Sequence, residues 1–158
     1  MQLIKLFAGT ASSGKQVLEE LPVNKIGESV FQLLSTPGLV LGLARDDEIN
    51  LDAEASTYKL VRRGGRVAVQ VYSSGLNSEE LHPLASQLAQ MASATLDRLT
   101  PRQAVFSFPA ASGFVQVERL LNLFVSSRAG TEWYYGNVYA DDGVTPLNWW
   151  QALVNLSD

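Results

Sequence analysis

From residue 66 onward the spacing of apolar residues changes in a set order, and that order limits the folds open to this chain. Residues 66–73 alternate Val67, Val69 and Val71 with Ala68, Gln70 and Tyr72, the two-residue period of a half-buried strand. Leu81, Leu84, Ala85, Leu88, Met91 and Ala92 then recur at three- and four-residue steps, which puts one apolar stripe along a helix. Residues 95–100 and 103–108 flank Pro101-Arg102 as a hairpin, the first of them the less strand-like because it carries Asp97 and Arg98. Phe114, Val117, Leu121, Phe124 and Val125, bordered by Leu120, mark a second helix, and residues 132–139 a last, aromatic strand. Strand, helix, strand, strand, helix, strand is the ferredoxin-like βαββαβ order. It predicts an α+β fold with a four-stranded antiparallel sheet and both helices on one face.

The punctuation agrees with this reading. Asn77 can cap the first helix with Glu80 at its third position, although Pro83 would sit more naturally if the regular helix began there. Ser112 can cap the second helix, and Gly130 stands where a closing glycine belongs. Asp141-Asp142-Gly143 reads as a turn, and the tail from Pro146 as one that ends in a helical turn.

Residues 1–64 carry no convincing amphipathic helix. Short apolar runs at 3–8, 16–23 (stopping at Pro22), 30–35, 39–44, 49–51 and 57–62 are separated by turn signals such as Thr36-Pro37-Gly38, which suggests a small rolled β-module. Gly64-Gly65 closes it as a hairpin turn. We therefore expect an N-terminal β-rich module over 1–64 and a ferredoxin-like module with an aromatic tail over 65–158, joined as one unit.

Several functions are disfavoured by composition. The 158 residues are 46% hydrophobic and 18% charged, a globular balance. The net charge is −4, and the longest basic run is Arg62-Arg63, so no basic stripe is present to displace counterions from nucleic acid. Without cysteine there is no thiolate chemistry, disulfide or cysteine metal site. The apolar run at 3–8 is broken by Lys5 and ended by Gly9, too short for a signal sequence, and no run reaches the length of a membrane span. A cytoplasmic protein is expected.

The catalytic motifs fail on detail. Gly9-Thr-Ala-Ser-Ser-Gly14-Lys15 has the spacing of a phosphate-binding loop, but Gln16 stands where a magnesium-binding Ser or Thr belongs and Pro22 breaks the helix that should follow. It reads as a polar hairpin loop, so no nucleotide site is assigned. His82 is the one histidine, too few for a histidine metal site, and Ser112-Gly113 lacks the preceding glycine of a nucleophile elbow. The acidic run Asp46, Asp47, Glu48, Asp52 and Glu54 lacks the spacing of a calcium loop and reads as a solvated loop. No catalytic residue, metal or cofactor is assigned, and the balance is against an enzyme.

What remains is aromatic. Trp133, Trp149, Trp150, Tyr134, Tyr135 and Tyr139 all fall from residue 133 onward. Large aromatics anchor interfaces and fill cores alike. If Trp133 and Tyr135 point one way along a strand, Tyr134 points the other.

The stretch Val30-Phe-Gln-Leu-Leu-Ser-Thr-Pro-Gly-Leu-Val-Leu-Gly-Leu-Ala-Arg-Asp46, followed by Arg63-Gly-Gly-Arg-Val-Ala-Val-Gln, resembles a bacterial family known only as a domain of unknown function. The likeness covers about residues 30–70, with Arg45 where the family usually has glycine, and it implies no catalytic residues. By size and charge alone the chain also resembles immunity proteins, which cover the site of a toxin. The expectation is a non-catalytic protein-binding protein of the bacterial cytoplasm, an immunity-type inhibitor being one form. Asp46, Asp47 and Glu48 would steer a basic partner, and whichever of Tyr134, Trp149 and Trp150 are exposed would anchor it. A small-molecule-binding protein or enzyme with a pocket between the modules, and a structural homo-oligomer subunit, are the alternatives.

Overall fold

In the first half, period-two alternation puts Ile4 and Leu6, Leu21 and Val23, and Phe31 and Leu33 on one side of a sheet. The computed structural model, which describes residues 1–155, forms these segments into β1 (Gln2–Thr10), β2 (Gln16–Lys25), β3 (Val30–Leu33), β4 (Glu48–Asp52) and β5 (Thr57–Arg62). Each strand pairs antiparallel with the next. The sheet curls until the Phe7 N–H donates to the Ser56 carbonyl at 2.8 Å, and its inward residues close over one apolar cluster with Val40 and Leu43. Pro22 does not stop β2, contrary to expectation. Its carbonyl accepts the Leu34 N–H at 3.0 Å, so the missing donor of the proline falls just past the end of β3, where the ladder is already finishing.

The second half forms β6 (Arg66–Tyr72), α1 (Ser78–Ala92), β7 (Thr95–Thr100), β8 (Gln103–Pro109), α2 (Val115–Ser126), β9 (Glu132–Tyr135) and a short α3 (Gln151–Asn155). The sheet order is β7-β8-β6-β9 with every pair antiparallel, so the fold is α+β with two antiparallel sheets. Leu81, Leu84 and Leu88 of α1 and Val117, Leu120 and Leu121 of α2 share one buried cluster with Val67, Val69, Val71, Phe106 and Phe108. Both helices therefore cover the same face of this sheet.

Local chemistry explains where the element ends depart from the sequence reading. Asn77 does cap α1, accepting the Glu80 N–H at 2.8 Å, but the helix begins at Ser78 with Pro83 inside it. The proline costs one bond to the Glu79 carbonyl, on an exposed turn that water reaches. Ser112 caps nothing: it lies in a 3-10 turn, and Gly113 at φ 80 separates that turn from α2. Gly130 turns the chain into β9 rather than closing α2, which ends at Ser126. Gly64-Gly65 is not a hairpin either. It joins β5 of one sheet to β6 of the other, and a side chain on Gly64 would meet the Cβ of Asp46 at 2.5 Å. The aromatic strand stops at Tyr135, four residues early, because the buried Asn137 side chain takes over: it accepts the Ala68 N–H at 2.8 Å and donates to the Arg66 carbonyl at 2.9 Å.

The other face of the second sheet meets the first through polar groups. Residues 34–47 form no regular element, although 39–44 reads as a strand in sequence. This loop is held by Glu19 of β2, buried and accepting the N–H groups of Gly38 (2.7 Å), Leu39 (2.9 Å) and Val40 (2.9 Å). Arg98 of β7 donates to the same carboxylate at 3.0 Å, and Gln103 donates to the Gly38 carbonyl at 2.7 Å. A bulge between Leu96 and Arg98 lets Asp97 face the loop as well, where it accepts from Ser107 (2.8 Å) and the Thr36 N–H (3.3 Å).

Glu19→Ala is expected to lower the unfolding free energy by about 3 to 5 kcal/mol, the range for removing one partner of a buried charged network. Urea denaturation measures it, and a loss below about 1 kcal/mol, the range of a surface pair, would show that this carboxylate does not join the sheets.

Candidate functional site

The aromatic run Glu-Trp-Tyr-Tyr splits across β9 as a strand must. Trp133 and Tyr135 turn to the helical face, edge to face with centroids 4.9 Å apart. The Trp133 Nε1–H donates to Asn122 Oδ1 at 2.8 Å and the Tyr135 hydroxyl to Glu118 Oε1 at 2.9 Å. Burial first, then the bond and charge of Glu118, pushes the Tyr135 phenol well above its ordinary pKa. Tyr134 turns to the opposite face beside Tyr72, with centroids 6.0 Å apart, and stays 52% exposed. Its hydroxyl donates to Glu132 at 2.8 Å, and that bond raises its pKa.

β9 is the edge of its sheet, and the ladder fixes which of its backbone groups face outward. The Gly136 N–H donates to the Ala68 carbonyl at 2.8 Å, and the register pairs Tyr134 with Gln70 and Glu132 with Tyr72. In an antiparallel ladder alternate residues carry the bonds. The even-numbered residues of β9 therefore bond to β6, and the N–H and C=O of Trp133 and Tyr135 point away from the sheet. Among the described residues nothing hydrogen-bonds those outward groups.

A cleft of about 720 Å³ runs along this edge. Leu41 and Gly42 of the loop after β3 form one wall, and the loop carrying Tyr139 and Asp141 forms another. The Gly42 N–H donates to the Gly136 carbonyl at 2.8 Å and joins the first wall to the strand end. The loop is shaped by Asp142, which accepts the Val144 and Thr145 N–H groups at 2.9 and 2.8 Å. Thr145 holds the Asp142 carboxyl below its ordinary pKa, through its hydroxyl and then its N–H. Glu118 and Asp141 are the charged residues of the lining, which contains no Lys, Arg or His.

The six residues expected at a partner surface are not brought together. Tyr134 lies in the cleft. Trp149 and Trp150 are half-buried: the Trp149 Nε1–H donates to the Asn137 carbonyl at 2.9 Å, and Trp150 packs on Phe114 with centroids 5.7 Å apart. Both can pack inward because they sit in a turn, not in an extended segment. Of the acidic run, Asp52 and Glu54 are exposed as expected, but the first three residues are not an open loop. Asp46 is half-buried at φ 76 against Gly64, and Glu48 is half-buried in β4 with Arg62 Nε at 3.2 Å. Asp47 is fully buried and accepts the Ala44 and Gly64 N–H groups at 2.9 and 2.8 Å. Arg63 lies 3.9 Å from Asp47, donates to the Gly42 carbonyl at 3.1 Å and stacks 5.0 Å above Trp149. The acidic turn thus supports the cleft wall from behind.

The loop at 11–15 is a hairpin turn between β1 and β2, followed by a strand and no helix. His82 is exposed on α1, 3.4 Å from the Ser86 hydroxyl. Among the described residues no group of three or more His, Asp or Glu side chains is placed to hold a metal, and no helix is long and apolar enough to cross a membrane. Sequence reasoning missed Glu118, Asp141 and the Leu41-Gly42 wall. Leu41 and Gly42 offered one signal, an apolar run with a glycine in its middle, which a strand interior rarely holds.

An α+β fold with a cleft along an open strand edge defines the class, and sequence comparison gives the family. The chain belongs to DUF4265, a domain of unknown function whose sequence model matches residues 19–133, from Glu19 to Trp133. It is similar to a crystal structure of a hypothetical protein from Neisseria gonorrhoeae, with a TM-score of 0.65 and 12% sequence identity over 85% of this chain and 93% of that one. At that identity the likeness shows a shared fold. No protein of curated function matches the sequence.

Burial pushes the Asp47 carboxyl from 3.8 up to about 6, against the pull of its two N–H donors and Arg63. A raised folded-state pKa means that its contribution to stability is fully present below pH 3.8 and is lost as pH rises through about 6, amounting to roughly 3 kcal/mol against the ionised form. The Asp47 carboxyl carbon should therefore titrate near pH 6 by NMR, and Asp47→Asn should flatten the fall in stability across that window. A midpoint at or below the ordinary carboxylate value would refute this.

Proposed function

We propose that this chain is a non-catalytic protein-binding protein of the bacterial cytoplasm, and that its partner docks at the β9 cleft with Tyr134 as the exposed anchor. The observation that carries the reading is a half-exposed tyrosine standing beside an open strand edge within a cleft. Tyrosine anchors interfaces because it brings a large rigid contact area with a polar tip. Glu118 and Asp141 take the steering role that the sequence suggested for Asp46, Asp47 and Glu48, and a basic partner suits them. An immunity-type inhibitor would use such a face to cover its toxin. The lining holds no histidine, and Glu118 is bonded to a phenol held far from ionisation, so acid–base chemistry finds little to work with. The strand order of the second sheet supports reading that module as ferredoxin-like, with β9 as its outermost strand.

One observation favours a second reading. The cleft volume of about 720 Å³ falls within the range of small-molecule sites, and its walls come from both modules.

Affinity capture from lysate of the source bacterium, with wild type and Tyr134→Ala compared side by side, tests the proposal. A single basic protein is expected to bind wild type, and Tyr134→Ala should weaken it about 30-fold or more, the effect of a hot-spot residue, with unchanged melting temperature. A partner that binds both equally overturns the anchor. An empty capture with a metabolite raising the melting temperature establishes the second reading.

A further inference from the structure

We infer that the partner presents an extended segment that adds as a strand to the outer edge of β9 and sets a Lys or Arg side chain against Glu118. This rests on the protein-binding reading above and supplies its geometry.

The backbone carries the first half of the argument. The outward N–H and C=O groups of Trp133 and Tyr135 have no partner among the described residues and border a cleft of about 720 Å³. A strand docks about 4.8 Å from its neighbour and uses alternate residues, so this edge of four residues offers two donors and two acceptors in register. Sheet edges are usually blunted by shortness, charge, proline or a bulge; β9 is short and carries Glu132 but has no lysine, proline or bulge. The other edge strands are handled differently. β7 is bulged and meets the loop through Ser35 and Thr36, β1 carries Lys5 and is drawn toward the β4–β5 turn by the Phe7–Ser56 bond, and β5 carries Lys59 and pairs through a bulge. β9 has none of these devices and has a cleft of about 720 Å³ beside it, against about 330 Å³ beside β1.

Charge selects the occupant. Glu118 and Asp141 face the cleft, form no ion pair among the described residues, and have no cation in the lining. Glu118 stands on the helical side of β9, bonded to the Tyr135 hydroxyl through Oε1. A docked strand places every second side chain on that side. A Lys or Arg there would lay its aliphatic stem along the rings of Trp133 and Tyr135 and carry its charge to the carboxylate. The residues between would turn to Tyr134 and Tyr72.

Panning a random displayed peptide library on the full chain, followed by NMR hydrogen exchange with an enriched synthetic peptide, tests the inference. Enriched peptides should share a β-branched or aromatic run with one fixed Lys or Arg. Binding should protect the Trp133 and Tyr135 amides about tenfold or more while leaving Tyr134, already in the ladder, unchanged. Glu118→Gln should weaken the peptide about tenfold, the worth of one charge-assisted contact, and reduce its salt dependence. No enrichment over an unrelated control protein, enrichment without a fixed cation, or binding that leaves Trp133 and Tyr135 unprotected overturns the strand addition. Concentration-dependent dimerisation that protects the same two amides overturns it too, because the occupant is then a second copy of this chain. If the peptides fail while a lysate partner still depends on Tyr134, strand addition fails alone; if both fail, so does the protein-binding reading.

Discussion

Glu19 gathers three consecutive backbone N–H groups and the guanidinium of Arg98 around one buried carboxylate. Each partner answers a need of its own. The loop after β3 has no regular element in which its amides could bond, and a buried amide without an acceptor is costly. Arg98 comes from the other sheet, so satisfying the carboxylate also fixes how the sheets sit. Gly38 occupies the tightest point, where a side chain would meet Gln103 Oε1 at 2.6 Å. From there the chain continues to Leu41 and Gly42, and the cleft wall stands where it does because Glu19 holds the loop before it.

The second sheet and its two helices were legible in outline because each of these elements buries one face against an apolar core, and that writes a period into the sequence. Val67, Val69 and Val71 alternate, and Leu81, Leu84 and Leu88 step along a helix. The element ends were less legible. The stop of β9 depends on an Asn137 side chain imitating a strand, and the continuation of β2 through Pro22 depends on where β3 finishes. Neither contact is local in sequence. The segment 39–44 reads as a strand because it is apolar, yet its Leu39 and Val40 amides bond to the Glu19 carboxylate and its Gly42 amide to the Gly136 carbonyl.

The candidate site was legible only in its aromatics. Alternation alone separates Tyr134 from Trp133 and Tyr135. Within the acidic run Asp47 misled because charge usually marks solvent, whereas it is spent on two loop amides and backs the wall that holds Gly42. Asp97 and Arg98 made β7 look weak as a strand for the reason that makes them important: the bulge turns both toward the other sheet. Glu118 and Asp141 come from a helix and a distant loop, and only the packing of both around the β9 edge sets them in one cleft.

The partners of residues 34–47 lie far apart along the chain, Glu19 well before the loop and Asp97 and Gln103 well after it. During synthesis the first sheet emerges with its longest loop lacking the bonding partners that β7 and β8 supply, and it waits for them before the loop can settle. Contacts of this separation slow the search for the native state and couple its final steps. The two sheets should therefore complete folding together, with the first exposing an unsettled apolar loop (Leu39 and Leu41 among it) to chaperones until the second arrives.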